Sequence, residues 1–354
     1  DEADANRSLA PLKPAEDAIL IDTSNLTIEE QVHKLYEITC RIIEKIDNNN
    51  SDKEPEERKI KIRIANYLGY CFGVKRAIQM AKDAKLTEKP VYTLGELIHN
   101  PAIVQELEEQ GIHIANKAEE VKNSTVIIRS HGITKEEYKI LKENNNEIID
   151  ATCPYVKRTH TILKHLVKED YPVLILGDKQ HQEVIGMRSY GNEKTFVIGE
   201  DDPIPKIKEK RLAIMAQTTQ RIEKLQELVY KLLSNFNELR VFNTICLATT
   251  QRQKAAEELA QESDAMFVIG GLKSSNTCAL AKLSSVYCPT YHIEDEKQLA
   301  SIDISPYKSI GITAGASTPE EMIIKVYNVL LQKSGDFKTV TSIEEIPMFK
   351  EESC

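Results

Sequence analysis

Apolar and polar positions alternate along most of the chain in a repeated strand–helix order. In three places an apolar run of strand length leads to a cysteine, and an amphipathic stretch with helical spacing follows. These stretches are "IRIANYLGYCFGVKRAI", "NEIIDATCPYVKRTHTILKHL" and "ELRVFNTICLATTQRQKAAEELA". The pattern predicts that Cys71, Cys153 and Cys246 each lie where a strand ends and a helix begins.

Two further strands follow each cysteine. The second strands, "PVYTLGELIHN", "PVLILGDKQHQE" and "AMFVIGGLKSSN", lead to polar clusters that begin 28 residues after the cysteines, at His99, His181 and Ser274. The third strands, "STVIIRSHGIT", "RLAIMAQTTQ" and "SIGITAGASTPEE", end at His131, at Thr218 and Thr219, and at Ser317. One spacing used three times predicts three similar units.

Alternating strands and helices predict an α/β fold with parallel sheets that helices cover on both faces. Ligands bind such sheets beyond the carboxyl ends of the strands. Three units that turn these edges inward, with pseudo-threefold symmetry, would bring the three thiols together. The predicted organisation is an N-terminal extension, a polar linker, three units and a C-terminal tail, at residues 1–47, 48–60, 61–146, 147–238, 239–335 and 336–354.

Composition, charge and cysteine usage argue against several classes of function. The 354 residues carry a net charge of −9, which argues against a nucleic-acid partner. No apolar run approaches the roughly 20 residues of a membrane span, and the acidic start is unlike a secretory signal. Seven cysteines without a C-x-x-C pair predict a reducing, cytoplasmic location.

Three convergent thiolates predict a metal centre at Cys71, Cys153 and Cys246. Catalytic zinc keeps three ligands and an open position, and a four-iron cluster on three cysteines leaves one iron open. The wide, symmetric spacing favours the cluster. The remaining cysteines match no repeat position and are predicted to be ordinary buried thiols: Cys40, Cys278, Cys288 and Cys354.

Many neutral hydrogen-bond donors surround the predicted centre, and such donors suit a buried diphosphate. Glu183, two residues after His181, could relay protons there, or it could be a solvated loop residue. The predicted shell is His99, His131, His181, Thr218, Thr219, Ser274, Ser275, Asn276 and Ser317.

The motifs "YCFGVKRAI", "GELIHN", "RSHG", "DATCP", "TICLATTQRQ", "KSSN" and "TAGAS", in this order over about residues 61–335, resemble the 4-hydroxy-3-methylbut-2-enyl diphosphate reductase family. The resemblance implies three lobes around a 4Fe-4S cluster with three cysteine ligands and one open iron. It also implies reductive removal of an allylic hydroxyl, giving isopentenyl and dimethylallyl diphosphate in the last step of the methylerythritol phosphate pathway.

By motif position, the resemblance makes Cys71, Cys153 and Cys246 the cluster ligands and the histidine, serine and asparagine positions of the shell the substrate-binding residues. It places Thr218 near the substrate hydroxyl and makes Glu183 the proton source. The chain departs from the family at Gln182, where proline is common. Proline fixes φ and glutamine does not, so the position of Glu183 is less constrained here.

The first segment, "DEADANRSLAPLKPAEDAILIDTSNLTIEEQV", resembles the C-terminal end of bacterial cytidylate kinase, with Asp1, Asp4 and Arg7 in the pattern D-x-x-D-x-x-R. The chain has no G-x-x-x-x-G-K-[ST] loop to hold nucleotide phosphates. Residues 1–47 are therefore interpreted as the remnant of a kinase–reductase fusion, and an unrelated helical extension is the alternative.

Two other function classes stay open at this stage, an iron–sulfur redox sensor and a cysteine-ligated zinc hydrolase of diphosphates. No G-x-G-x-x-G follows a predicted strand. We therefore expect electrons to come from a protein such as ferredoxin or flavodoxin.

Overall fold

The computed structural model describes residues 21, 26–28, 30–32, 34–35, 38–39, 60–84, 89–98 and 100–349. The chain divides into two compact units, Asp1–Arg58 and Lys59–Cys354. Within the first unit, most described residues from 28 to 39 are helical, and Thr27 and Glu30 exchange capping hydrogen bonds. The rest of the predicted kinase remnant and nearly all of the predicted linker lie outside the described residues.

The described part of the second unit is an α/β structure with twelve strands in three four-stranded sheets. Every strand pair that these sheets contain is parallel. The strands are β1 (Lys61–Ile64), β2 (Val91–Leu94), β3 (Ile112–Ala115), β4 (Thr125–Ile128), β5 (Glu147–Asp150), β6 (Val173–Leu176), β7 (Thr195–Ile198), β8 (Arg211–Ala216), β9 (Glu238–Phe242), β10 (Ala265–Ile269), β11 (Thr290–Ile293) and β12 (Ser309–Ala314).

Nine α-helices lie between the strands of this described part. They are α1 (Phe72–Ala84), α2 (Pro101–Glu109), α3 (Lys135–Glu143), α4 (Pro154–Lys168), α5 (Gln182–Arg188), α6 (Ile222–Leu233), α7 (Leu247–Gln261), α8 (Ser275–Ser284) and α9 (Glu320–Lys333). Strands β4, β6 and β10 are buried along their whole length, which explains why they form continuous apolar runs in the sequence.

The three sheets share one strand order, which confirms the predicted repetition. Their orders are β3-β2-β4-β5 in the first lobe, β7-β6-β8-β9 in the second and β11-β10-β12-β1 in the third. In each lobe, the two central strands carry the polar clusters of the sequence repeat at their carboxyl ends. Parallel pairing places those ends on one edge of each sheet.

The strand before each cysteine lies in a different lobe from the one that the predicted boundaries give it. Strand β5 pairs with β4 of the first lobe, β9 with β8 of the second, and β1 with β12 of the third. The structure therefore shifts the unit boundaries at residues 61, 147 and 239 by one strand. Periodicity in the sequence identifies a strand but not its distant parallel partner, so the repeat alone could not fix this pairing.

Each helix that follows a cysteine covers the sheet of the next lobe. Residues of α1 pack on β2 and β4, those of α4 on β6, and those of α7 on β10. Each cysteine thus lies at a crossing between two lobes, with its strand in one and its helix in the other. Among the described residues, no helix is long and apolar enough to cross a membrane.

The C-terminal tail completes the third lobe. Val340 and Ile346 are buried in its core. Ile64 of β1 bridges to Met348 in parallel, and the Phe349 amide donates to the Ile64 carbonyl at 2.8 Å. The Arg63 guanidinium lies over the Phe349 ring. The tail therefore packs against β1 on the edge that does not pair with β12.

We expect Phe349→Ala to lower the free energy of unfolding by about 3–5 kcal/mol, since it removes a buried ring. Phe337 lies in the same tail but is 79% exposed, so Phe337→Ala is the matched control and should cost under about 1 kcal/mol. Urea unfolding measures both. Equal stability of the two variants would contradict the proposed packing of the tail.

Candidate active site

The lobes meet at a cavity of about 100 Å³. Its lining includes every predicted site residue that the structure describes, so the fold brings these residues to one place. His99 lies outside the described residues. The predicted residues that line the cavity are Cys71, Cys153, Cys246, His131, His181, Glu183, Thr218, Thr219, Ser274, Ser275, Asn276 and Ser317.

The three thiols lie at the N-termini of α1, α4 and α7. Free backbone N–H groups and the helix dipole favour negative charge at such positions. Burial raises the pKa of Cys153, and the amides of Tyr155 and Val156 oppose that rise. Burial also raises the pKa of Cys246, whose Sγ accepts from the Thr249 amide at 3.3 Å and lies 3.0 Å from its hydroxyl.

Gly73 lets two of these helices approach closely. A Cβ at this position would lie 2.8 Å from Cys153 Sγ, so the glycine leaves room for that thiol, while Cys71 Sγ at 3.8 Å would be in ordinary contact. Among the described residues, no three His, Cys, Asp or Glu side chains are grouped closely enough for a single metal ion. The thiol donors, their helix N-termini and the glycine gap fit a larger thiolate-bound group.

The other cysteines do not join the cavity. Cys278 is exposed, which corrects the expectation of a buried thiol, because its side chain lies against the exposed Leu272, to whose carbonyl the thiol donates. Cys288 is half-buried against α7 and β10. Cys40 and Cys354 lie outside the described residues.

Glu183 is the buried acid of the site, with 1% of its surface exposed. Its two carboxyl oxygens accept from the Thr218 amide and hydroxyl, both at 2.7 Å. Burial raises the pKa of Glu183 to about 7, although the two Thr218 bonds lower it. A carboxyl group with a pKa near neutrality can both hold and release a proton, as a general acid must.

Two histidines from neighbouring lobes face each other in the cavity. The rings of His131 and His181 meet edge to face, with centroids 5.5 Å apart. His181 caps α5, and its Nδ1 accepts from the Glu183 amide at 3.1 Å. An accepting Nδ1 fixes the neutral tautomer with its proton on Nε2, so that nitrogen is a donor.

A polar network joins the second and third lobes beside these histidines. The Gln217 amide donates to the hydroxyls of Thr219 and Ser275 at 2.9 and 3.2 Å, and the two hydroxyls lie 2.9 Å apart. Asn276 is buried, and neither atom of its amide group has a hydrogen-bond partner among the described residues. An unsatisfied buried amide in a cavity indicates a missing polar ligand.

Sequence reasoning missed Gln217 and Thr249 as site residues. Gln217 immediately precedes the two threonines at the end of β8, and Thr249 follows Cys246 at the spacing of a helix cap. Both signals were present in "AQTTQ" and "CLATT". They were overlooked because polar residues at strand ends and caps are common in any protein.

Gln182 takes a structural role of its own at the position where proline is common in the family. It is the first residue of α5, where a backbone N–H has no partner within the helix. Its side-chain oxygen accepts from Arg129 Nη2 at 2.7 Å, while Arg129 Nε donates to the Gly132 carbonyl at 3.1 Å. The pair connects the loop of His131 to the helix of Glu183.

We expect Gln182→Ala to lower the free energy of unfolding by about 1–3 kcal/mol, because it removes a hydrogen bond to a half-buried guanidinium. Gln182→Pro should lose the same bond yet keep α5, since proline suits the first helical position. Gln180→Ala, at an exposed residue two positions earlier, is the control. If urea unfolding finds Gln182→Ala as stable as the control, the connection between the lobes contributes nothing.

Comparisons with known proteins agree with this geometry. The sequence profile of the LytB protein family matches residues 62–331, and that of cytidylate kinase matches residues 1–41. The second match confirms the resemblance of the N-terminal segment. A 4-hydroxy-3-methylbut-2-enyl diphosphate reductase of Trichlorobacter lovleyi is 42% identical over 77% of this chain and 98% of its own. One of Geobacter sulfurreducens is 43% identical over 75% of this chain and 95% of its own.

Solved structures extend the likeness to the fold. A structure described as (E)-4-hydroxy-3-methyl-but-2-enyl diphosphate reductase, the terminal enzyme of the non-mevalonate pathway, is 40% identical, with a TM-score of 0.57 over 77% of this chain and 99% of its own. The reductase of Plasmodium falciparum is 27% identical, with a TM-score of 0.72 over 82% and 95%. On its motifs, its fold and these matches, the chain belongs to the LytB protein family.

Proposed function

We propose that this protein reduces 4-hydroxy-3-methylbut-2-enyl diphosphate to isopentenyl and dimethylallyl diphosphate, the last step of the methylerythritol phosphate pathway. One observation carries the proposal. Three thiols, a buried Glu183–Thr218 pair and a shell of neutral donors line the same cavity. The LytB family consists of iron–sulfur enzymes, and the relatives described above are named for this reaction.

The proposed cofactor is one 4Fe-4S cluster, held by Cys71, Cys153 and Cys246 with one iron left open. When bound, such a cluster supplies electrons and an iron that polarises the substrate hydroxyl. Backbone amides at the starts of α4 and α7 oppose the rise in pKa that burial causes at Cys153 and Cys246, and bound iron would displace the thiol protons. The gap at Gly73 leaves room for the Cys153 thiol beside the start of α1.

The diphosphate is proposed to bind the donors that the three lobes contribute. The unsatisfied Asn276 amide and the Nε2–H of His181 support this assignment. Neutral donors hold a dianion without a lysine cluster. The proposed contacts are His99, His131, His181, Thr219, Ser274, Ser275, Asn276 and Ser317.

Glu183 is proposed to hold the proton that the reaction uses. Removal of the hydroxyl breaks a C–O bond, and the oxygen must take up a proton to leave as water. Overall, two electrons and two protons are consumed, with the second proton ending on carbon. Because the Thr218 hydroxyl lies 2.7 Å from the Glu183 carboxyl, it can pass the proton onward by donating and accepting.

The electrons are proposed to come from a small redox protein such as ferredoxin or flavodoxin. The chain has no G-x-G-x-x-G after a strand that would bind a dinucleotide. A sensor, the alternative from the sequence, has no need for a buried acid beside its metal centre. A zinc hydrolase would be colourless, whereas the iron–sulfur protein should absorb near about 400 nm.

Serine at any of the three ligand positions should abolish iron binding and turnover, because a hydroxyl is a far weaker ligand than a thiolate. Cys278→Ser and Cys288→Ser are the controls and should keep both. Iron per chain in anaerobically purified protein, with the absorption spectrum, measures the effect. Wild-type iron content in Cys153→Ser would disprove the ligand assignment.

Glu183→Gln should retain iron and bind substrate, yet turn over at least about a hundredfold more slowly, since general acids contribute about 10²–10⁴-fold. Thr218→Val should also slow turnover. With a pKa raised to about 7, Glu183 is protonated below that pH. Wild-type turnover should therefore fall as pH rises above about 7, and Glu183→Gln should lack this decline.

Anaerobic steady-state reduction with a chemical electron donor across pH 6–9 measures both effects, with iron analysis of each variant. A near wild-type rate for Glu183→Gln would mean that the proton comes from elsewhere, such as the substrate's own diphosphate.

A further inference from the structure

Arg252 is a buried cation that the proposed reaction does not use. It lies on α7 and is 6% exposed. Among the described residues, no aspartate or glutamate pairs with it, and the acidic groups that act on it are the thiols of Cys71 and Cys246. Arginine keeps its proton at any physiological pH, so this site carries a permanent positive charge.

The guanidinium joins the chain segments of two cysteines. Its Nη2 donates to the Gly69 carbonyl at 2.7 Å, two residues before Cys71. Its Nη1 donates to the Ala248 carbonyl at 3.0 Å, two residues after Cys246. Gly69 has φ +72°, a conformation that suits glycine and turns this loop toward the arginine.

The first lobe has a partial counterpart of this cation, since the half-buried Arg76, five residues after Cys71, donates to the Ala151 and Thr152 carbonyls just before Cys153. Arg252 lies six residues after its cysteine. The same position holds Ala77 after Cys71 and Thr159 after Cys153, and both of these side chains are fully buried. Two lobes therefore have a small residue where the third has a guanidinium. If position 252 only had to fill space, a small or apolar residue would serve in the third lobe as it does in the other two.

A buried charge is costly unless an opposite charge compensates it. The two backbone carbonyls satisfy two donors of Arg252, but its Nε has no hydrogen-bond partner among the described residues. The compensation must come from the cavity side, where the thiols lie. The negative group that the three thiols hold in the proposed holoenzyme supplies it.

We propose that Arg252 is the fixed counter-charge of the cluster on the three cysteines, and that its two carbonyl bonds keep the Cys71 and Cys246 segments together. This inference rests on the proposed function. Reduction adds negative charge to the cluster, so a nearby fixed cation favours the reduced state. Arg252 thus makes the cluster easier to reduce and acts on two of its three ligands.

The experiment is a redox titration of anaerobically purified wild type, Arg252→Gln, Arg252→Lys and Lys254→Gln, followed by electron paramagnetic resonance, with iron per chain measured in each. Arg252→Gln should shift the reduction equilibrium at least about tenfold toward the oxidised state, about 59 mV for one electron. Lys254 lies on the same helix, exposed and paired with Glu258, so Lys254→Gln should change nothing.

Arg252→Lys separates the two roles. It retains the charge but cannot span both carbonyls with a planar fork. Its midpoint potential should stay near that of wild type, while iron should be lost faster on exposure to air. If Arg252→Gln holds no iron, its midpoint potential cannot be measured and Arg252→Lys is used instead. Iron retained by Arg252→Lys, with the midpoint potential of wild type, would then support the requirement for a positive charge.

A midpoint potential of Arg252→Gln equal to that of wild type would overturn the inference. So would a lysine variant that shifts as far as the glutamine variant, or that also holds no iron, because its charge is intact. A wild-type protein without iron would instead overturn the proposed function itself, and this inference with it.

Discussion

The crossing of the chain from one lobe to the next at each cysteine is the constraint on which the site depends. Each thiol follows the last strand of one sheet and begins a helix that packs on the next sheet. When the three sheets form, their edges can only meet with the thiols between them. The centre is therefore assembled by the packing of whole lobes, and no local loop has to hold three ligands.

The same packing excludes water from the chemistry. Burial at the junction raises the pKa of Glu183 to about 7 and raises those of Cys153 and Cys246. Arg252 is buried there as well, and among the described residues the acidic groups that act on it are thiols rather than carboxylates. A backbone with threefold repetition thus surrounds a site whose charges are unequal, with an acid from the second lobe and a cation from the third.

The sequence was sufficient for the repeat and for the convergence of the site, because a spacing of 28 residues recurs between each cysteine and its polar cluster. It could not assign β1, β5 and β9 to their lobes, since the apolar pattern of a strand does not identify the strand with which it pairs. Arg252 escaped notice because helices commonly carry arginine, and only the fold reveals that this one is buried. Gln182 was recognised as a departure, but its bond to Arg129 depends on a loop 53 residues away.

The pairing of β1 with β12 sets the order in which the three lobes can be completed during synthesis of the chain. Ile62 lies beside Ile310 in the sheet, yet the ribosome adds the second about 250 residues after the first. At about 5–20 residues per second, β1 waits roughly 12–50 s for its neighbour. During that time it is an apolar edge without a partner, and the first two lobes can fold before it is covered. The third lobe, which carries Cys246, therefore closes last, so the metal centre becomes complete only after β12 has been made.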